Sequence, residues 1–157
     1  MKILLIGSCG VGKTWVMKNL LATTQTRPGK IGKFKFHYNK DIVVVGVYDG
    51  STFEGSDRLS MSVITDLGKF LSWCGNRCVI CEGDRFTNST YITQAHPVIF
   101  KIQGDGSAGR EIRGSKQTER HLKSIATRVG NIKEDVLASD SAEALELILK
   151  LISNDRK

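Results

Sequence analysis

The residues with the clearest chemistry in this sequence lie near its start, between positions 7 and 14. The run fills every fixed position of the pattern G-x-x-x-x-G-K-[S/T]. In a loop of this kind, backbone N–H groups surround a phosphate at the positive end of a helix, and the lysine reaches the β- and γ-phosphates. The hydroxyl group is placed to hold Mg²⁺. The sequence therefore predicts a site for ATP and Mg²⁺, although no pattern here separates ATP from GTP. The residues of the predicted site are Gly7, Ser8, Cys9, Gly10, Val11, Gly12, Lys13 and Thr14.

Two acidic residues follow predicted strands and are expected at the same edge of a sheet. Asp49 comes after the run 42–47, and Glu82 comes after the run 77–81. Ligands of doubly wound sheets bind at the carboxyl ends of the strands. We expect Glu82 to hold Mg²⁺ through water, together with Thr14, and Asp49 to act as the general base that takes a proton from an attacking hydroxyl group. An Asp-Gly pair is also favoured in turns, so Asp49 has a second interpretation as a turn residue.

Three arginines are candidates for neutralising charge on a transferring phosphoryl group. Arg85 follows Glu82 closely, whereas Arg110 and Arg113 lie in the stretch 104–114, which holds four glycines in eleven residues. Such a stretch is typical of a mobile loop. We expect it to form a lid that closes over ATP and brings its arginines to the phosphates. A solvated surface charge is the alternative interpretation of each arginine.

Apolar periodicity predicts strands that alternate with helices along the chain. The predicted strands are 2–6, 33–38, 42–47, 77–81, 97–102 and 136–138. The predicted helices are 14–22, 59–73, 86–95 and 115–129, followed by a last helix capped by Asp140 and Glu143, and 23–32 is predicted as a loop. This alternation implies a single α/β domain over residues 1–157, with a doubly wound, mainly parallel sheet and helices on both faces.

The positive charge of the chain is concentrated in its first 40 residues. This segment holds eight Lys or Arg and no acidic residue, whereas the remainder holds fifteen basic and sixteen acidic residues, which gives the net charge of +7. A basic face of this kind suits a polyanion, and we expect DNA to bind a surface that includes residues 18–40. A solvated surface beside a phosphate site explains the charge equally well.

The composition excludes several classes of protein. With 40% hydrophobic and 25% charged residues, the chain has the balance of an ordinary globular domain. No apolar run approaches the roughly 18–20 residues that cross a bilayer, and the run 3–6 is too short for the core of a signal peptide. We therefore expect no membrane partner and a cytoplasmic location. No protein partner can be inferred from these features.

The cysteines suggest a metal site at first sight. Cys78 and Cys81 have the spacing of a zinc motif, with Cys74 and His96 as further ligands. The pair falls in a predicted buried strand, however, where positions three apart point to opposite faces. We therefore expect buried, reduced cysteines that fit a reducing cytosol.

These elements together resemble the P-loop nucleotide kinases. The resemblance rests on the phosphate loop, the acid after the second parallel strand, the run Glu82-Gly83-Asp84-Arg85 after the third, and an arginine-bearing lid. Thymidylate kinases and deoxynucleoside kinases carry similar elements at these strand ends. In that family the lid arginines contact phosphates, which the resemblance implies for Arg110 and Arg113.

The stretch 48–61, YDGSTFEGSDRLSM, is more distinctive. It resembles small bacteriophage P-loop kinases, including those that phosphorylate 5-hydroxymethyluracil already incorporated in DNA. The resemblance implies that the acceptor side of the site is lined by Asp49, Ser56, Asp57 and Arg58. An enzyme that acts on a base inside a duplex is expected to turn that base out of the stack, and the aromatic residues available for stacking are Tyr48, Phe53, Phe86 and Tyr91.

Three functions are compatible with these features. The first is an ATP-dependent kinase that phosphorylates the hydroxymethyl group of 5-hydroxymethyluracil in DNA, which the basic first segment favours over a free substrate. The second is a deoxynucleoside monophosphate kinase with the same catalytic residues. The third is an NTPase that binds DNA and hydrolyses ATP without modifying the DNA, although no sensor residue or arginine finger is evident in the sequence.

Overall fold

A single seven-stranded sheet organises the computed structural model of the protein, which describes residues 1–51, 53–114 and 116–155. The strands are β1 (Lys2–Ile6), β2 (Arg27–Ile31), β3 (Phe34–Tyr38), β4 (Ile42–Val45), β5 (Cys78–Glu82), β6 (Val98–Ile102) and β7 (Val136–Ala138). They lie in the order β2-β3-β4-β5-β1-β6-β7. The five strands from β4 to β7 in this order are parallel, and β2 and β3 form an antiparallel hairpin at one edge. The predicted mainly parallel α/β sheet is confirmed.

Helices cover both faces of this sheet. They are α1 (Lys13–Ala22), α2 (Leu67–Cys74), α3 (Ser89–Ala95), α4 (Ser107–Ile112), α5 (Glu119–Asn131) and α6 (Ser141–Asp155). Side chains of α1 and α6 form one core with Ile3 and Leu5, whereas α2, α3 and α5 form the other with Leu4 and Ile6. Because successive residues of a strand point to opposite faces, the fully buried run of β1 contributes to both cores.

The cysteines of β5 follow the same alternation. Cys78 packs in the core beneath α1 and α6, and Cys81 packs in the opposite core. Both side chains are buried. Burial raises the pKa of the Cys74 thiol to about 12 and that of Cys81 still higher, which keeps both thiols protonated at neutral pH. The prediction of buried cysteines on opposite faces is therefore confirmed.

The predicted loop 23–32 is wrong, since it contains strand β2. Pro28 and Gly29, which suggested a loop, are tolerated because β2 is an edge strand and pairs with β3 alone. A side chain on Gly29 would meet the rings of Phe36 and Tyr38 across the hairpin, so glycine allows these rings to lie over it. The hairpin brings Lys30 directly opposite Lys35.

Two other segments differ from the prediction. The helix predicted for 59–73 begins later, because a 3-10 turn at Val63–Asp66 precedes α2. The stretch 104–114 was predicted to be a loop, but it holds α4. Ser115, the predicted start of the following helix, lies outside the described residues. The helix α5 begins at Glu119, and the Thr118 hydroxyl caps it by accepting a hydrogen bond from the backbone N–H of His121.

The last helix begins nearly as predicted. The carboxylate of Asp140 accepts a hydrogen bond from the Glu143 N–H at 2.8 Å, as an N-cap does. The Glu143 carboxylate in turn accepts from the Ser139 N–H at 2.6 Å, one residue before the position of a regular capping box. Over the part of the chain that the structure describes, no helix has the length and apolar character needed to span a membrane.

Candidate active site

A cleft of about 930 Å³ opens at the carboxyl ends of β1, β4 and β5. Its floor is the phosphate loop 7–14, and its walls come from residues 53–61, residues 82–87, α4 and α5. The register of the sheet explains this convergence, because β5 lies directly beside β1 and pairs Glu82 with Leu5. The parallel arrangement thus brings the ends of several strands to one site.

The phosphate loop has the conformation that its glycines permit. Gly10 and Gly12 have φ angles of 95° and 98°, in the left-handed region where a side chain is strained. Gly12 directly precedes α1, so the loop leads into the positive end of that helix. The ammonium group of Lys13 donates hydrogen bonds to the carbonyl oxygens of Gly7 at 2.8 Å and Ser8 at 2.9 Å, and burial lowers its pKa. The lysine is therefore held across the mouth of its own loop.

Glu82 lies beside this loop as a buried acid. Its Oε1 accepts hydrogen bonds from the Thr14 hydroxyl at 3.2 Å and from the Tyr48 hydroxyl at 3.3 Å. Burial raises the pKa of Glu82 to about 6, although the nearby Lys13 ammonium lowers it, and the negative charge of Asp57 raises it further. A buried acid at the end of a central strand, facing a lysine and a hydroxyl group, indicates a functional role.

The oxygen atoms of Thr14 and Glu82 fit a magnesium ion. Mg²⁺ prefers hard oxygen ligands and is usually held by one or two carboxylates plus substrate phosphates. Within residues 1–51, 53–114 and 116–155, no group of three or more His, Cys, Asp or Glu is arranged to hold a metal by itself. A metal at Thr14 and Glu82 would thus complete its ligands with phosphate oxygens and water.

The predicted acceptor residues divide into two pairs. Ser56 and Asp57 line the cleft, and the charge of Asp57 acts on both Lys13 and Glu82. Asp49 and Arg58 are not among the cleft-lining residues, and they form an ion pair of 3.3 Å on the surface. Hydrogen bonds from Ser51 lower the pKa of Asp49, which weakens it as a base. Of the two acids, Asp57 is therefore the one that lies in the cleft.

The stretch 104–114 packs directly on the phosphate loop. Cβ atoms placed at Gly106 and Gly109 would collide with backbone atoms of Cys9 and Gly10, so glycine is required for this contact. The helix α4 has no buried side chain, and it is held by this backbone contact and by Arg110. The guanidinium of Arg110 donates to the Cys9 carbonyl oxygen at 2.7 Å. The stretch predicted to be a mobile loop is therefore a short helix packed on the phosphate loop, and its role as a lid stays a prediction.

The three predicted arginines have different positions. Arg113 lines the cleft, where its guanidinium lies 3.8 Å from the Cys9 sulfur. Arg85 also lines the cleft and donates to the Leu59 carbonyl oxygen at 3.4 Å. Arg110 binds the phosphate loop from outside the cleft, so in this conformation it is a bracing residue. Arg85 and Arg113 are thus the two of the three arginines that line the cleft.

Two residues of the cleft, Trp15 and Glu54, were not predicted from the sequence. Lys18, predicted only as part of the basic surface 18–40, also lines the cleft, and its ammonium lies 2.8 Å from the Glu54 carboxylate. Of the four aromatic residues proposed for stacking, only Phe53 lines the cleft. Phe86 and Tyr91 are fully buried in the core, and the Tyr48 hydroxyl is bound to Glu82. Trp15 is an apolar residue, so its type did not predict that its side chain would be exposed.

The basic hairpin β2–β3 ends at the same edge of the sheet as the cleft. Because β3 runs antiparallel to β4, its first residue lies at the carboxyl end of β4, where the Gly46 N–H donates to the Lys35 carbonyl oxygen at 2.9 Å. The ammonium group of Lys33 donates to the hydroxyls of Ser62 and Thr65. For Lys30 and Lys35, the described residues provide no ion pair within 4 Å. The described residues therefore leave their charge uncompensated, and neither lysine is among the residues that line the cleft.

Comparison with known proteins adds no relative that informs this site. No protein-family model matches the chain, and no curated protein or solved structure matches it either. The residues of the site therefore carry the evidence for its function.

Proposed function

We propose that this protein is an ATP-dependent kinase of the P-loop type that phosphorylates a hydroxyl group on a DNA base. The expected acceptor is the hydroxymethyl group of 5-hydroxymethyluracil. The observation that carries this proposal is the convergence of Lys13, Thr14, Glu82 and Asp57 on one cleft. A phosphate-binding loop, two oxygen ligands for Mg²⁺ and a further carboxylate are the groups that phosphoryl transfer requires.

The phosphate loop and its neighbours account for binding the triphosphate. Backbone N–H groups of residues 7–14 and the positive end of α1 would surround the phosphates. Lys13 would leave its carbonyl partners at Gly7 and Ser8 and bind phosphate oxygens, and Arg113 would approach from α4. Thr14 and Glu82 would hold Mg²⁺, which neutralises charge on the phosphate oxygens when bound.

Asp57 is proposed to activate the acceptor. As the acceptor oxygen forms a bond to the γ-phosphorus, its proton passes to the Asp57 carboxylate, and the bond between that phosphorus and the β–γ bridging oxygen breaks. ADP then leaves with the electron pair of the broken bond. Lys13 and Arg113 would stabilise the charge of the transferring group. Asp49 remains a second candidate base that needs a movement of the turn 48–51 to reach the cleft.

The basic hairpin favours DNA as the acceptor. Lys30 and Lys35 lie opposite each other on an edge hairpin, an arrangement that costs stability unless an anion compensates it. The hairpin turn lies at the same end of the parallel strands as the cleft, so a strand of DNA could contact these lysines while one of its bases reaches Asp57. Binding of this kind weakens steeply with salt because counterions are released.

A free deoxynucleoside monophosphate is the alternative acceptor. Arg85 lines the cleft in the wall formed by residues 82–87. A single guanidinium can bind a phosphate group through two parallel hydrogen bonds. In this case the hairpin would have no role in the reaction. The two acceptors therefore predict opposite effects of the hairpin lysines on activity.

Transfer of label from γ-labelled ATP with Mg²⁺ tests the proposal. DNA that contains 5-hydroxymethyluracil, unmodified DNA and free deoxynucleoside monophosphates are offered in parallel. We expect label in the hydroxymethylated DNA alone, and a loss of at least about 100-fold in kcat for Asp57→Asn. Asp49→Asn is the matched control, and we expect it to change kcat by less than about 3-fold because Asp49 lies outside the cleft.

Each other outcome has a defined meaning. Label in a free nucleotide would establish the alternative acceptor. A loss of activity confined to Asp49→Asn would transfer the role of base to Asp49. Release of phosphate to water with every acceptor would replace the kinase by a DNA-binding NTPase.

A further inference from the structure

The exposed apolar side chains of this protein are concentrated at the cleft. Five large apolar residues are exposed in the described parts of the chain, with accessible fractions of 46% for Trp15, 66% for Phe53, 79% for Met61, 87% for Ile112 and 47% for Leu137. All except Leu137 line the cleft. Single exposed apolar residues are ordinary, but a cluster around one opening marks a binding surface.

These four residues, which we call the collar, come from three separate elements. Trp15 lies in the first turn of α1, and Lys18 lies one turn further on. The ion pair between Lys18 and Glu54 brings the segment that carries Phe53 against this helix. Met61 follows in the same connection after β4, and Ile112 is the last residue of α4. The collar therefore faces the opening from three sides, namely from α1, from the connection after β4 and from α4.

Charges of both signs lie beside the collar, since the cleft is also lined by Glu54, Asp57, Glu82 and Asp84, and Lys18 is paired with Glu54. Among the described residues, Arg85 and Arg113 form no ion pair within 4 Å and are the cations left for a ligand. The Lys18 side chain is 50% exposed and lines the cleft, as do Arg85 and Arg113. Aromatic and apolar faces with cations beside them suit an unstacked nucleobase and its backbone phosphates, because each base presents a flat π-face next to a negative charge. An apolar protein segment would match the side chains of the collar but not these cations.

We propose that the collar holds a single unstacked base of the DNA acceptor, with Trp15 and Phe53 as its stacking residues. This inference rests on the proposed function and deepens it. The acceptor would be a base in a single strand, at a mismatch, or turned out of a duplex. The rate on a well-paired duplex would include the cost of unpairing and unstacking that base.

The first test compares acceptor strands in steady-state kinetics. One 5-hydroxymethyluracil is placed in a single strand, opposite a mismatched base, or in a fully paired duplex. For the unaltered protein we expect kcat/KM to be at least about 10-fold higher for the first two acceptors than for the paired duplex. Equal values for all three acceptors would overturn the proposal.

The second test removes the stacking residues. Trp15→Ala and Phe53→Ala are each expected to raise KM for the single strand by about 10- to 100-fold and to leave KM for ATP within about 2-fold. Trp15→Phe keeps an aromatic ring and should restore most of the loss. Leu137→Ala is the matched control, because Leu137 is equally exposed but lies on β7 outside the cleft.

Tryptophan fluorescence separates this proposal from the proposed function. Binding of single-stranded DNA should quench Trp15, and the quenching should be lost in Trp15→Phe, where Trp73 is the remaining tryptophan. If no acceptor is phosphorylated but this quenching is present, the kinase proposal fails and the base-binding collar stands. If DNA is phosphorylated but Trp15→Ala and Phe53→Ala behave like Leu137→Ala, the collar proposal fails and the kinase stands.

Two further outcomes would also overturn the collar proposal. Quenching of Trp15 by ATP alone, to the same extent as by DNA, would assign the collar to the adenine ring. A dimer in sedimentation experiments that is lost in Trp15→Ala and retained in Leu137→Ala would assign the collar to contact between two copies of the chain.

Discussion

The hydroxyl of Thr14 donates a 3.2 Å hydrogen bond to Oε1 of Glu82, across 68 positions of sequence. Thr14 belongs to the phosphate loop that follows β1, and Glu82 ends the neighbouring strand β5. The parallel pairing of these strands brings the two oxygen atoms together. The proposed metal-binding part of the site is thus fixed by the central strands, whereas the proposed acceptor part is built from loops.

A first prediction concerns the cost of burying Glu82. Its pKa rises from an ordinary 4.5 to about 6, so the ionised form destabilises the folded state by about 2 kcal/mol at pH 7. Glu82→Gln keeps an oxygen that accepts from Thr14 and Tyr48 but carries no charge. We expect this variant to raise the free energy of unfolding at pH 7 by about 1 to 2 kcal/mol, and to lose Mg²⁺-dependent activity. Urea unfolding of the metal-free protein measures the first effect; a Glu82→Gln protein less stable than the unaltered one would contradict it.

A second prediction concerns the pH dependence of stability. Because the pKa of Glu82 is raised on folding, the folded state binds more protons than the unfolded state between pH 4.5 and about 6. The free energy of unfolding due to this group therefore falls as the pH rises through that window and is constant above and below it. The difference between the unaltered protein and Glu82→Gln isolates this contribution from groups with lowered pKa, such as Glu54 and Glu134. A flat difference between pH 4 and 8 in denaturant titrations without metal would exclude a raised pKa.

The positions of the catalytic candidates show how far local sequence determines the site. The phosphate loop and Glu82 could be predicted because a contiguous motif and the end of a buried strand each determine a position. The choice between Asp49 and Asp57 could not be predicted, because the two acids are eight residues apart in one irregular connection. The direction of each side chain depends on the turn that binds Asp49 to Ser51 and Arg58.

Glycines misled the prediction in two segments for one physical reason. Gly29 in β2 and Gly109 in α4 suggested loops, because glycine weakens strands and helices. Both positions instead lie where another part of the chain approaches closely, namely the rings of Phe36 and Tyr38 in one case and the backbone of Gly10 in the other. A glycine that serves close packing cannot be distinguished from one that serves flexibility by its local sequence.

A third prediction tests the contact between α4 and the phosphate loop. Gly109→Ala adds a Cβ atom that collides with the Gly10 carbonyl oxygen, and overpacking of this kind costs about 1–3 kcal/mol. Since α4 has no buried side chain, we expect it to detach from the loop while the rest of the fold stays intact. Catalytic efficiency with ATP should fall by about 10-fold or more, with little change in melting temperature.

The control for that variant is Gly130→Ala. Gly130 lies in α5, where an added Cβ would meet no atom within 4 Å. Alanine favours helix over glycine by about 0.8–1 kcal/mol, so this control should keep full activity and gain slight stability. Equal activity of Gly109→Ala and Gly130→Ala would show that catalysis does not require the contact between α4 and the phosphate loop.

A fourth prediction separates stability from DNA binding in the hairpin. Lys35→Glu replaces a repulsive pair with Lys30 by an attractive one, which should raise the free energy of unfolding by about 0.2–1 kcal/mol. The same change removes a positive charge from the proposed DNA surface and adds a negative one. We expect weaker binding to DNA and a salt dependence of log K reduced by about 1 in slope.

The control for this variant is Lys150→Glu on α6. It makes the same charge change in an exposed residue that pairs with Glu146, so it should leave DNA affinity nearly unchanged. Fluorescence anisotropy across a salt series measures both quantities. If the two variants bind DNA equally well while Lys35→Glu is the more stable protein, the hairpin is not the DNA surface, and a free nucleotide becomes the favoured acceptor.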